Sequence, residues 1–336
     1  MEQLKSDLQN VVMKGKFPKS LYNDPNVHKN LSKSYLTDGY LMPETEGFIH
    51  AIQDQVMKTR NNIRHIMKVQ IDSDLCRLCN QITESIQHLS GGCSILALKE
   101  YTNRHNLVGN IIHQELLKKA SSSNKTCIPH YLYTPAPVIE NENIKICWDI
   151  SMQTETNIIN NRPDIVYVDK TTNSISIIDI TIPLDDNINT AYSNKIAKYE
   201  DLRRQLKNIY NRVVQPLRTR GPQETKVESW RAAKLKIQLT GGAFYTGFCG
   251  LSRAAEMNSR AACGPWAAGW TTLIYNINNV FIFPIVITTN GLVHKNTFSN
   301  LEKNKIKNAR NVVKKCQKSV IISTTGIIRR VLAEEE

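Results

Sequence analysis

Two aspartates fifteen positions apart, Asp164 and Asp179, have the type and setting to do chemistry. Residues 165–168 and 175–182 are rich in β-branched and aromatic side chains, and Asp169-Lys170-Thr171-Thr172-Asn173 between them is turn chemistry. A hairpin paired symmetrically about Thr171 and Thr172 sets Asp164 opposite Asp179. Directly opposed residues of an antiparallel pair hold their Cβ atoms about 5 Å apart, where like charges repel. A divalent cation between the carboxylates removes that conflict and creates a site for hydrolysing a phosphodiester. Residues 190–213 read as the next helix, with Ile196, Tyr199, Leu202, Leu206, Ile209 and Val213 at helical spacing. Lys195 and Tyr199 lie four apart and share a face, with Lys198 beside them. A lysine aimed at the acid pair would stabilise charge on a phosphorane or position the water. The plain alternative is a hairpin carrying two solvated aspartates.

A second constellation stands upstream. Cys76, Cys79, His88 and Cys93 form a C-x2-C-x8-H-x4-C array. Two cysteines two apart grip one ion through a tight turn, and a histidine and a third cysteine complete a tetrahedron. Four protein ligands leave no open position, so the ion expected is a structural zinc. Ser90-Gly91-Gly92 gives a flexible approach to Cys93.

Arg162-Pro163-Asp164, then Asp179, then a helix bearing Lys195-x-x-Lys198-Tyr199, resembles the restriction-like endonuclease of site-specific non-long-terminal-repeat retrotransposons. That domain is a branch of the PD-(D/E)xK nuclease superfamily. The resemblance covers residues 35–220 and 280–332, and includes the cysteine–histidine array ahead of the nuclease and Trp148-Asp149 upstream of the acids. It implies an α/β (α+β) restriction-endonuclease-like core that nicks double-stranded DNA with catalytic Mg²⁺. Asp164 and Asp179 would hold the metal, and Asp149 would be a further metal ligand. Lys195 or Lys198 would assist electrostatically, and Tyr199 would orient water or phosphate. Thr181 stands where the superfamily often carries lysine, a departure this family shares, with a helix lysine serving instead. In the parent elements the nick exposes a 3′-hydroxyl that primes reverse transcription of the element RNA, a second expected partner. No polymerase signature is present, since Leu184-Asp185-Asp186 lacks the preceding aromatic residue.

The elements that must position these residues follow from the rest of the chain. Its 336 residues carry a net charge of +13, which favours a polyanionic partner, nucleic acid before membrane. The N-terminal residues do not read as a signal peptide, and the longest apolar run, 280–287, is far short of a membrane span. Eight cysteines without a secretory signal point to a reducing compartment, and with the resemblance to a nuclear location. Residues 1–75 read as a polar, basic helical linker. Thr45 is a candidate cap for a helix whose face carries Phe48, Ile49, Ile52 and Val56. Residues 76–120 read as the zinc module with a following helix, on which His105 and His113 read as packed or exposed histidines rather than ligands. Ser121-Ser122-Ser123-Asn124-Lys125 is the expected domain boundary. The nuclease is expected over 126–220 and 280–334, with a strand at 145–150. Residues 221–279 shift to alanine, glycine and other small residues and read as a poorly ordered insertion.

Candidate phosphate contacts are Arg60, Arg64 and Lys68, then Arg104, Arg162, Lys314, Lys315, Arg329 and Arg330. From Lys295 to Arg330 the chain has ten Lys or Arg and one acid. Residues 299–332 read as two helices broken near Ser323-Thr324-Thr325-Gly326. A non-catalytic nucleic-acid-binding protein and a zinc-containing transcription regulator are the competing readings.

Overall fold

The hairpin that carries the acids is the centre of a five-stranded sheet. A computed structural model describes residues 16–120, 128–212, 277 and 279–333. The strands are β1 (Val138–Glu140), β2 (Ile144–Trp148), β3 (Ile165–Asp169), β4 (Ser174–Thr181) and β5 (Asn279–Val286), in the spatial order β1-β2-β3-β4-β5. The first four form an antiparallel meander, and β5 joins β4 in parallel. The protein is therefore mixed α/β, as expected. Pro284 sits in β5, an edge strand, where a missing N–H is tolerated. The β3–β4 register pairs Ile165 with Ile178 and Asp169 with Ser174, so one step further brings Asp164 level with Asp179.

The main α-helices among the described residues are α1 (Lys16–Asn23), α2 (Lys29–Ser32), α3 (Ser34–Asp38), α4 (Pro43–Gln53), α5 (Thr102–Ala120), α6 (Ile188–Arg212), α7 (Lys295–Lys303) and α8 (Ala309–Ala333). Strand alternation sends Ile165, Tyr167, Ile178 and Ile180 to one face. There they meet Val108, Ile111, Ile112 and Leu116 of α5 and Val312, Val313 and Val320 of α8. Val166, Val168, Ile175 and Ile177 face the other way, against Tyr199, Leu202 and Leu206 of α6. The sheet is thus covered on both sides, which explains why β3 and β4 read as nearly continuous apolar runs. Gly109 lets α5 approach closely, because a Cβ there would meet the Trp148 ring at 2.2 Å.

The N-terminal segment is not an independent unit. Tyr35, Ile49 and Ile52 share a core with Cys76, Leu89 and Cys93 and with Ile321, Ile327, Ile328 and Val331 of α8. The α4 helix starts at Pro43 with Met42 as its cap residue, not at Thr45, because proline pre-sets the first helical turn. Val56 lies beyond the helix end and is exposed. The C-terminal helices also differ from expectation. The break falls between Lys303 and Ala309, where Lys305 and Asn308 adopt left-handed backbone, and α8 runs unbroken through Gly326. Thr324 and Thr325 are buried in its packed face, and that packing outweighs their low helix propensity. The expected boundary at residues 121–125 lies outside the described residues, as does the expected insertion at 221–279 except for Ile277 and for Asn279, which already belongs to β5.

Candidate active site and metal centre

The end of the β3–β4 hairpin gathers four charged side chains and a tyrosine. Asp164 precedes β3 and accepts the Ile180 amide at 2.6 Å and a contact from His105 Nε2 at 3.1 Å. Asp179, near the end of β4, is buried and accepts the Tyr199 hydroxyl at 2.6 Å on Oδ1. Its Oδ2 forms an ion pair with Lys195 Nζ. Local sequence explains the placement: the acids are fixed by register, and α6 presents Lys195 and Tyr199 one turn apart on its buried face. Tyr199 also places its hydroxyl oxygen 3.2 Å from the Arg162 carbonyl. It is fully buried, and it positions Asp179 rather than meeting water or phosphate.

Lys198 does not join this cluster. Lys198 is exposed, and its ammonium lies over the Tyr199 ring at 4.7 Å. Asp149 does not join it either. Arg162 grips its carboxylate with two bonds of 2.8 Å, while the Asp149 amide donates to the Asp164 carbonyl at 2.8 Å. The left-handed backbone at Asp149 turns the side chain outward. His105 is the residue that reasoning from sequence set aside. Only the docking of α5 on the sheet end, 59 positions away in the chain, brings it to Asp164.

The electrostatics separate the two acids. Burial alone would raise Asp164, but His105, the Ile180 amide and Lys195 hold it below the ordinary carboxylate range. Burial, and next the Asp164 charge, push Asp179 up against the pull of Lys195 and Tyr199. Burial opposes a charged His105, yet the Asp164 hydrogen bond and charge override it and lift the ring to about 9. Burial and the Asp179 charge raise Tyr199, which stays a hydrogen-bond donor. The two carboxylates meet at one sheet end, Asp164 beside His105 and Asp179 beside Lys195.

The upstream array converges as its spacing foretold. The ligand atoms of Cys76, Cys79, His88 and Cys93 all lie within 4.8 Å of one another. Cys76 Sγ is 4.0 Å from Cys93 Sγ, and Cys79 Sγ is 3.3 Å from His88 Nε2. A tetrahedral zinc with Zn–S near 2.3 Å and Zn–N near 2.0 Å places its ligands about 3.5–3.8 Å apart, so these gaps can hold a metal such as zinc. All four side chains are substantially buried, and none of the cysteines is in a disulfide. The Tyr101 hydroxyl accepts the Cys93 amide at 3.3 Å and contacts the His88 and Leu89 carbonyls at 3.0 and 2.9 Å. Glu84, fully buried, clamps Arg77 through two bonds of 2.8 Å and takes the Arg77 and Arg60 amides. Arg77 then donates to the Val331 carbonyl, tying this module to α8.

The candidate phosphate contacts divide. Arg104 is buried, donates to Thr324 at 3.0 Å and is pulled down to about 10 by burial. It braces α5 against α8 and faces no nucleic acid. Arg60 donates to the Leu75 carbonyl and braces the cysteine–histidine module. Arg64 lies 3.5 Å from Asp74, Arg162 is held by Asp149, and Arg330 pairs with Glu100. Arg329 donates to the Glu44 carbonyl and covers Phe48. Lys68 is exposed, Lys314 pairs with Asp38, and Lys315 lies 3.8 Å from Glu115. No helix among the described residues is long and apolar enough to cross a membrane. No model of a known protein family matches the chain, and no curated protein is similar to it.

Proposed function

We propose that this protein is a Mg²⁺-dependent DNA endonuclease, the restriction-like domain of a site-specific retrotransposon protein with a PD-(D/E)xK core. The observation that carries the reading is the meeting of Asp164 and Asp179 at one sheet end with Lys195 from the following helix. Asp164 and Asp179 would hold the metal, which when bound lowers the pKa of a water and neutralises the scissile phosphate. Lys195 stabilises the extra negative charge of the phosphorane. Tyr199 and His105 fix the two carboxylates. Water oxygen bonds to phosphorus as the bond to the 3′ oxygen breaks, leaving a 3′-hydroxyl and a 5′-phosphate. The zinc module and the basic surface would hold double-stranded target DNA, and element RNA in the longer protein, in the nucleus.

A second reading rests on one observation: Asp179 is almost fully buried and both its oxygens are engaged, as in a structural ion pair. A catalytically inactive nucleic-acid-binding protein would have this feature too. Plasmid nicking separates the two. Mg²⁺-dependent nicks lost in Asp164→Asn and Asp179→Asn support the nuclease, and binding without nicks supports the second reading.

A further inference from the structure

A cationic cleft lies far from the acid pair. Its volume is about 570 Å³, and its lining includes Lys118 and Lys119 of α5, Lys307 before α8, and Lys314 and Lys315 of α8. Asp38 and Glu115 are the acids in that lining. Five ammonium groups therefore face two carboxylates, and those two are shared: Asp38 takes Lys314, while Glu115 lies 2.7 Å from Lys118 and 3.8 Å from Lys315. Lys119 reaches Asp169 at 3.3 Å. The first turn of α8, with Asn308 and Asn311, also borders the cleft, so the positive end of a 25-residue helix adds to the field. Burial and, against the pull of Asp169, the Lys305 charge lower Lys119.

One aromatic residue completes the lining. Tyr40 is 91 % exposed and has left-handed backbone, which holds its ring out at the rim. Gly39 permits that turn, since a Cβ there would fall 2.1 Å from the Tyr35 carbonyl oxygen. A large apolar ring held bare beside unbalanced lysines is the pairing that binds single strands, by base stacking and backbone neutralisation. The volume is that of a small-ligand pocket, enough for a nucleotide or two. Thirteen helical positions along α5 separate His105 from Lys118, about 20 Å at 1.5 Å per residue.

We propose that this cleft binds one strand of nucleic acid, with its phosphates on the lysines and a base on Tyr40. The site goes beyond the nuclease reading and does not depend on it, because binding is measured without hydrolysis. The test is fluorescence anisotropy of the full chain with labelled 15-nucleotide oligo-dT, oligo-rU and a 15-base-pair duplex, without magnesium, over a range of salt. The wild type should bind a single strand, and the tighter of the two arms identifies DNA or RNA as the ligand. Lys307→Glu with Lys315→Glu should weaken that binding at least tenfold and flatten the log–log salt slope by about 1.4. Tyr40→Ala should weaken it about fivefold or more. Lys99→Glu, an exposed reversal outside the cleft, should stay within twofold. The proposal is overturned if the cleft variants bind like wild type, if Lys99→Glu is as harmful as Lys315→Glu, or if the duplex loses as much affinity as the strand. Loss of nicking in Asp179→Asn with strand binding intact would separate this site from the acid pair.

Discussion

Single residues carry most of the chemistry, and three substitutions probe it. Lys195→Ala removes the ammonium from a buried carboxylate and is expected to lower nicking at least 100-fold. Tyr199→Phe takes the hydroxyl from Asp179 Oδ1 and leaves a buried acceptor short of a donor, a cost of about 1–3 kcal/mol. Chemical denaturation reads that cost, and no change in midpoint would show that the bond contributes nothing. Lys198→Ala should leave nicking within threefold, since its ammonium sits over the Tyr199 ring while Lys195 pairs with Asp179. The acid pair was legible in the sequence because turn chemistry and two β-branched runs fix a local register. The choice between Lys195 and Lys198 was not, since one helical face covers both. His105 and Arg104 are neighbours about 100° apart on α5, so one meets the sheet end and the other α8. Nothing local to the sequence says which is which.

Among the elements, the zinc module and the α5–sheet contact respond most sharply. Cys93→Ser should lose stoichiometric zinc and at least about 2 kcal/mol of stability, because Cys76 and Cys93 belong to the core shared with α8. Metal analysis beside thermal unfolding checks this, and full zinc occupancy at an unchanged midpoint would contradict it. Gly109→Ala pushes a methyl group into the Trp148 ring. Overpacking costs about 1–3 kcal/mol, more than the helix propensity alanine gains. Spacing alone revealed the convergence of Cys76, Cys79, His88 and Cys93, because a metal motif compresses long-range geometry into a short stretch. The extent of α8 was hidden: Ser323-Thr324-Thr325-Gly326 looks like a breaker locally, and only the packing of Thr324 and Thr325 overrides it.

At the scale of the molecule, the N-terminal helices, the zinc module and the sheet share cores through α8. Charge and polarity in residues 1–75 concealed this, since Tyr35, Ile49 and Ile52 are sparse among polar neighbours. The pH response belongs to this scale. His113 on α5 and His294, the cap residue before α7, are both buried, and burial pulls each down to about 4. Their folded pKa values lie below the unfolded value near 6.5, so the unfolded chain takes up protons first as pH falls. Stability from these rings is full above pH 6.5 and is lost between 6.5 and about 4, on the order of 3 kcal/mol per ring. A melting series should show that decline, and His113→Gln, which keeps an acceptor for Tyr133, should flatten it. The most direct measurement remains supercoiled-plasmid nicking with Mg²⁺ by wild type and Asp179→Asn. The account expects nicks bearing 3′-hydroxyl ends from the wild type and none above background from the variant. Equal nicking by both, or none from a folded, zinc-loaded wild type on its target DNA, would contradict it.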